Sequence, residues 1–240
     1  MGKTKWIAGI LGWVTFGPIG GLLGFIAGAI WEKTGATPSR RSYSPREQQN
    51  SFFVSLLVLS SAVIKADGKV HPKEIETVKE FIRRNFGEAA VSDAVRILNQ
   101  LNQQQVNIYE VGPQIARYMN YSQRLQLLHY LVQIAIADGQ FDRSEKSVIE
   151  AIASTIGLSD SDAASIIAMY YKDSNSAYAV LEISPSATDD EVRTAYRRMA
   201  MKYHPDKVAT LGPEVQKSAA EKFRKIQEAY ETIKKERGLA

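Results

Sequence analysis

The residues of this chain best suited to chemistry are a histidine at a proline corner and a set of spaced carboxylates. His204-Pro205-Asp206 places an imidazole and a carboxylate on either side of a proline. Pro205 fixes its own φ, lacks an N–H and pushes His204 away from helical geometry, which holds both polar groups at a rigid corner. Taken alone, the triplet also fits an ordinary helix-terminating turn whose imidazole caps the preceding carbonyls. A second pattern pairs Asp67 with Glu74 and Asp138 with Glu145, each pair seven residues apart. Hard cations take oxygen ligands of this kind, so the four are metal candidates. They lack the alternating ligands of an EF-hand loop, and Asp-Gly followed by an acidic residue is equally a turn and a helix-capping pattern. His71 and Glu74 give an H-x-x-E spacing without a third ligand, which argues against zinc. His129 sits in an apolar stretch and reads as a packed core histidine. No nucleophile–base constellation and no G-x-x-x-x-G-K-[ST] phosphate loop occurs, so no enzyme activity and no cofactor are expected.

Two helical patterns must position the corner. Val192, Ala195, Tyr196, Met199 and Tyr203 form one apolar stripe at helical spacing. Arg193, Arg197, Arg198 and Lys202 fall largely off it, as a basic, solvated face. Ala219, Phe223, Ile226, Tyr230 and Ile233 repeat the stripe beyond a polar loop, KVATLGPEVQKSA. Two such helices are expected to pack antiparallel, with a short helix over residues 177–181 capping them. Ser186 or Thr188 is the expected N-cap of the first, and Asp189, Asp190 and Glu191 suit the positive end of its dipole.

With these flanks the segment resembles the J-domain of the DnaJ family. The resemblance implies that His204, Pro205 and Asp206 form the essential corner that docks on a DnaK-type chaperone and stimulates its ATPase. It assigns Arg193, Arg197, Arg198 and Lys202 to docking charge. Tyr178, Leu181, Tyr196, Phe223, Ala229 and Tyr230 match packing positions. One departure is Glu182, which stands where the family commonly has glycine and is expected to be harmless on an exposed turn. Charged docking of this sort steers encounter and fixes register, and it weakens with salt.

Residues 6–31, a run of 26, carry no charged side chain. As a helix they would extend roughly 39 Å against a hydrocarbon core of ~30 Å, enough to span with tilt. Trp6 and Trp31 bracket the run as interfacial anchors. A spanning helix over residues 1–33 is the leading expectation. It competes with a cleavable signal peptide ending near Ala27-Gly28-Ala29, a re-entrant hairpin broken at Pro18, and a buried soluble helix. Lys33, Arg40, Arg41 and Arg46 follow the run and outnumber Lys3 and Lys5, placing the C-terminal bulk on the cytoplasmic side of an inner membrane. Gly20, Gly24 and Gly28 share one helix face, a candidate homodimer contact, though glycine is also simply common in membrane helices.

Residues 34–50 read as a polar linker. From 51 to 172 helical stripes recur in seven segments, at about the length that can bury one core. An internal repeat organises them: residues 64–82 align with 135–153, and Asp67 matches Asp138 at a shift of 138 − 67 = 71. The paired A-D-G motifs resemble TerB-like domains, which are all-helical. The whole chain is similar to bacterial membrane-anchored DnaJ-like co-chaperones with a TerB-like centre and a J-domain over 176–240.

The expected fold is therefore all-α: a transmembrane helix, a TerB-like bundle and a J-domain hairpin. The chain has no cysteine and a net charge of +4, which excludes disulfide frameworks and thiolate metal sites. No nucleic-acid motif stands out; the basic residues suit anionic lipid and an acidic protein partner. The competing function is a membrane scaffold or envelope-stress sensor acting through the TerB-like domain, with a non-essential J-like tail.

Overall fold

A computed structural model describes residues 45–102, 106–139, 141–170 and 176–239. The expected membrane span, its glycine face and most of the linker lie outside the described residues. Among the described residues no helix is long and apolar enough to cross a membrane. All regular elements described are helical.

The central bundle comprises α1 (Pro45–Ile64), α2 (Pro72–Phe86), α3 (Glu88–Asn102), α4 (Ile108–Tyr118), α5 (Tyr121–Ala135), α6 (Arg143–Thr155) and α7 (Asp160–Ala168). From Phe52 onward α1, and α5 along most of its length, are buried on nearly every face, as befits helices at the centre of a bundle. Phe52, Leu56, Leu57, Leu59 and Ile64 of α1 meet Leu125, Leu127, Leu128 and Leu131 of α5 in one core. Phe52 packs edge-on to Tyr130 with ring centroids 6.1 Å apart. The remaining helices are amphipathic and wrap this pair. Gly112 allows α4 to close on α6, since a Cβ there would collide with Thr155.

The sequence repeat is visible as α1–turn–α2 and α5–turn–α6. Each first helix ends in an Asp-Gly turn whose glycine takes a positive φ, +78° at Gly68 and +96° at Gly139. Each second helix then opens with a carboxylate folded back on its own N-cap. Glu74 Oε2 accepts from the His71 N–H at 2.9 Å, and Glu145 Oε2 accepts from the Asp142 N–H at 2.8 Å.

The C-terminal unit holds α8 (Ser176–Val180), α9 (Asp189–Lys202), the 3-10 segment η1 (Pro205–Leu211) and α10 (Pro213–Arg237). Val192, Ala195 and Met199 of α9 and Ile226, Ala229 and Ile233 of α10 are buried. Tyr196 stacks on Tyr230 at 4.3 Å with a 13° interplanar angle. Thr188 caps α9, its hydroxyl accepting from the Glu191 N–H at 3.3 Å. Arg237 ties the far end: its guanidinium donates to Ala187 O at 2.6 Å and to Pro185 O at 2.8 Å.

The polar loop expected between the two long helices is mostly helical. Helix α10 begins at Pro213, inside the loop expected over residues 207–219. Gly212, at φ +107°, breaks the chain after η1, and Pro213 starts the new helix at a position where its missing N–H carries no penalty.

Candidate functional site

The corner is built by two helix ends meeting. Tyr203 terminates α9, and its N–H still reaches Met199 O. His204 follows in extended conformation (φ −61°, ψ 130°) and caps η1, with Pro205 at the first position of the new segment. The His204 Nδ1 accepts from the Asp206 N–H at 3.3 Å. Its ring stands edge-on to Phe223 of α10 at 6.1 Å and 77°. Phe223, expected as packing only, therefore also sets the imidazole's angle.

His204 and Asp206 remain outside. Their side chains are 50% and 78% exposed, with the carboxylate 3.6 Å from Nδ1. Gln216 donates to Asp206 Oδ1 at 3.5 Å from the first turn of α10. The arrangement is a polar knuckle, pinned at its base and open at its tip. Such a knuckle can dock; it has no activated nucleophile.

The four basic residues of α9 separate into two classes. Arg193 and Arg197 are exposed, and Arg193 makes only an i,i−3 pair with Asp190 at 3.0 Å. Exposed pairs of that kind are worth little and give way readily to a partner. Arg198 stays on the expected solvated face, 52% exposed, whereas Lys202 departs from it. Arg198 donates to Leu181 O at 3.1 Å and lies 3.5 Å from the Glu182 carboxylate. Lys202 is 16% exposed and reaches Glu182 Oε1 at 2.5 Å. It also pairs with Asp162 of α7, a carboxylate with 0% exposure in the central bundle.

Glu182 corrects the expectation of a harmless exposed turn. Its φ is +57°, the only positive value at a non-glycine residue among those described, which explains why a glycine suits this place. Its side chain is only 8% exposed and holds both α9 cations.

Asp162 was not legible as a site residue. Its carboxylate accepts from the Ser159 N–H at 2.7 Å, the Ser159 hydroxyl at 2.6 Å and the Tyr121 hydroxyl. Burial opposes ionisation of Asp162, but Lys202, Ser159 and Tyr121 outweigh it and hold the carboxyl below its usual range. The local signal S-x-x-D marks a helix cap; nothing in sequence ties it to a lysine 40 residues later. Lys222 was equally hidden. It is fully buried in α10, with no hydrogen-bond partner for its amine among the described residues, and lies over the Tyr130 ring at 4.6 Å. Burial drives its pKa well below the lysine range. His129, expected in the core, is there: 0% exposed and edge-on to Tyr203 at 5.7 Å.

The acidic candidates serve as turns and caps. Asp67 accepts from the Lys69 N–H at 2.8 Å and sits 3.3 Å from His71 Nε2. Glu74 and Glu145 are the two capping carboxylates already described. Among the described residues no three carboxylate or imidazole groups converge in a way that could hold a metal ion. Burial pushes the Glu74 carboxyl up to about 7, opposed by its bond from His71 and helped by the charge of Glu145.

Two family profiles match the chain in the order of these units. The one described as tellurite resistance protein TerB covers residues 53–168, and the DnaJ domain covers 176–238. Curated relatives extend over both. A co-chaperone protein DjlA of Vibrio cholerae is 30% identical over 85% of this chain and 83% of its own. A co-chaperone protein DjlA of Coxiella burnetii is 28% identical over 98% of both chains. One of Escherichia coli O157:H7 is 23% identical over 92% of both. No solved structure gives a significant match.

Proposed function

The chain belongs to the family of DjlA co-chaperones, and from that premise we propose that it recruits a DnaK-type chaperone through its His204 corner and stimulates that partner's ATPase at an inner-membrane surface. The observation that carries this reading is the pinned, outward-facing knuckle of His204 and Asp206 beside the exposed Arg193 and Arg197. A row of exposed cations next to a pinned polar tip suits an acidic partner surface: the charges speed encounter and the tip fixes register. Hydrolysis takes place in the partner's nucleotide site, and this chain contributes no covalent step. The uncharged run over residues 6–31 supports anchorage, with the J-domain on the cytoplasmic side.

The test is single-turnover ATP hydrolysis by the DnaK-type partner of the same organism. The full chain raises the rate; His204→Gln abolishes the rise while leaving the thermal melt unchanged. Equal stimulation by the variant would move the function to the TerB-like domain, as a scaffold or sensor.

A further inference from the structure

The DnaJ-like unit does not stand clear of the bundle. Its η1 segment lies against α1 and α5, and its α10 against α2. The Gln49 amide donates to Leu211 O at 3.4 Å, and the Gln123 amide donates to Thr210 Oγ1, also at 3.4 Å. Lys225 donates to Met169 O at 3.0 Å. At the centre of this seam Lys202 enters the pocket of Asp162, Glu182 and Tyr121.

Two features of the seam pull in opposite directions. The Asp162–Lys202 pair favours closure, because each charge satisfies the other out of water. Lys222 opposes it: closure strips its amine of water and supplies only the face of Tyr130 in return. His129 beside it has both ring nitrogens buried without partners. Burial, and then the neighbouring Lys222 and Lys225, push the pKa of that imidazole well below its ordinary value. A cleft of about 700 Å³ runs along the seam, lined among others by Glu80, Arg84, Gln133, Lys217 and Glu221. The seam also buries Tyr203, Val208 and Leu211, but an interface that carries an unpartnered amine and a charged cleft beside them is more polar than a permanent core, as separable interfaces are.

Resting on the co-chaperone reading, we propose that the TerB-like domain is a reversible docking surface for the chain's own J-domain, holding Lys202 and the inner flank of η1 away from the chaperone partner. Asp162 takes the place of an acidic group of that partner. Release returns Lys202 to the row formed by Arg193, Arg197 and Arg198. The His204 tip is exposed in both arrangements, so closure tunes docking without abolishing it.

The chain has no cysteine, so a pair can be introduced cleanly. In the full chain, Gln123→Cys and Thr210→Cys are joined by a reductant-cleavable bis-thiosulfonate. Stimulation of the partner's ATPase should fall by about threefold to tenfold, the scale of one charged contact withdrawn from an interface. Reductant should restore it, and Thr210→Cys carrying a monofunctional reagent should show no such loss. Equal stimulation by bridged and reduced chains overturns the proposal. Hydrogen exchange decides independently of the ATPase. Amides of residues 206–211 should open more often than those of α5, and Lys222→Met should slow that opening by about tenfold. Exchange in 206–211 as slow as in α5, in both forms, also overturns it. A reduced chain that fails to stimulate at all would instead refute the co-chaperone reading, leaving exchange to judge closure.

Discussion

Helix α9 carries charge at two ends that solvent treats differently. Before its last turn, Arg193 and Arg197 face water, and Arg193 pairs locally with Asp190, three residues earlier. At its last turn Lys202 is enclosed by Glu182 and Asp162, and its pairing is long-range and specific. The same residue class thus makes an adjustable surface in one place and a structural tie in the other. What separates them is desolvation: water screens the first pair and is excluded from the second.

The largest effect that would sharpen this contrast is at Asp162. Asp162→Ala leaves Lys202 with Glu182 alone, orphans the Tyr121 hydroxyl and removes the acceptor of the Ser159 N–H and hydroxyl. A loss of about 3–5 kcal/mol in urea unfolding is expected, the range for breaking a buried pair on one side. An unchanged urea midpoint would mean the seam is as solvated as the outer face. Lys222→Met acts in the opposite sense. It replaces an unpartnered buried amine with an apolar chain of similar length, and should raise stability by about 1–3 kcal/mol. Destabilisation would show that Lys222 has an acceptor after all.

Glu74 extends the comparison to pH. Its carboxyl is raised from the model-peptide value of 4.5 to about 7. The folded protein therefore binds the proton more tightly than the unfolded one. That contribution is fully present below pH 4.5 and is lost as pH rises through about 7. Glu74→Gln keeps a capping oxygen for His71 and cannot ionise. Melts at pH 5 and pH 8 should differ less in the variant than in the wild type, by about 1–2 kcal/mol. An identical pH dependence would place Glu74 in water. The smallest effect is at Arg193→Ala: no measurable shift in melting, and a slower ATPase response at low salt that vanishes within about twofold at high salt.

Sequence made the local features legible. Seven helical stripes, the two Asp-Gly turns, the capping carboxylates and the Pro205 corner all depend on residues within one or two turns of each other. Their physics is periodicity, φ restriction and orphan N–H groups, which one segment can express by itself. The seam was not legible. Asp162 meets Lys202 only because the fold brings the last turn of α9 to the first turn of α7, and Lys222 looks like any surface lysine until α10 is laid on Tyr130. The early start of α10 was missed for a related reason. Its first turns carry the polar residues of a loop, and Val215 becomes an apolar contact only once the chain is folded around it.

Glu182 carries a cost that glycine would avoid, about 1–2 kcal/mol for a left-handed backbone with a side chain. A change to glycine would relax the turn, leave Arg198 with the Leu181 carbonyl and leave Lys202 with Asp162 alone. Backbone comfort and charge sharing are set against each other at a single residue, so drift toward glycine there would pass the whole hold on Lys202 from the J-domain to the central bundle. Relatives with glycine at that turn would then need the bundle's acidic group to hold the end of the helix, or would leave it free for the chaperone.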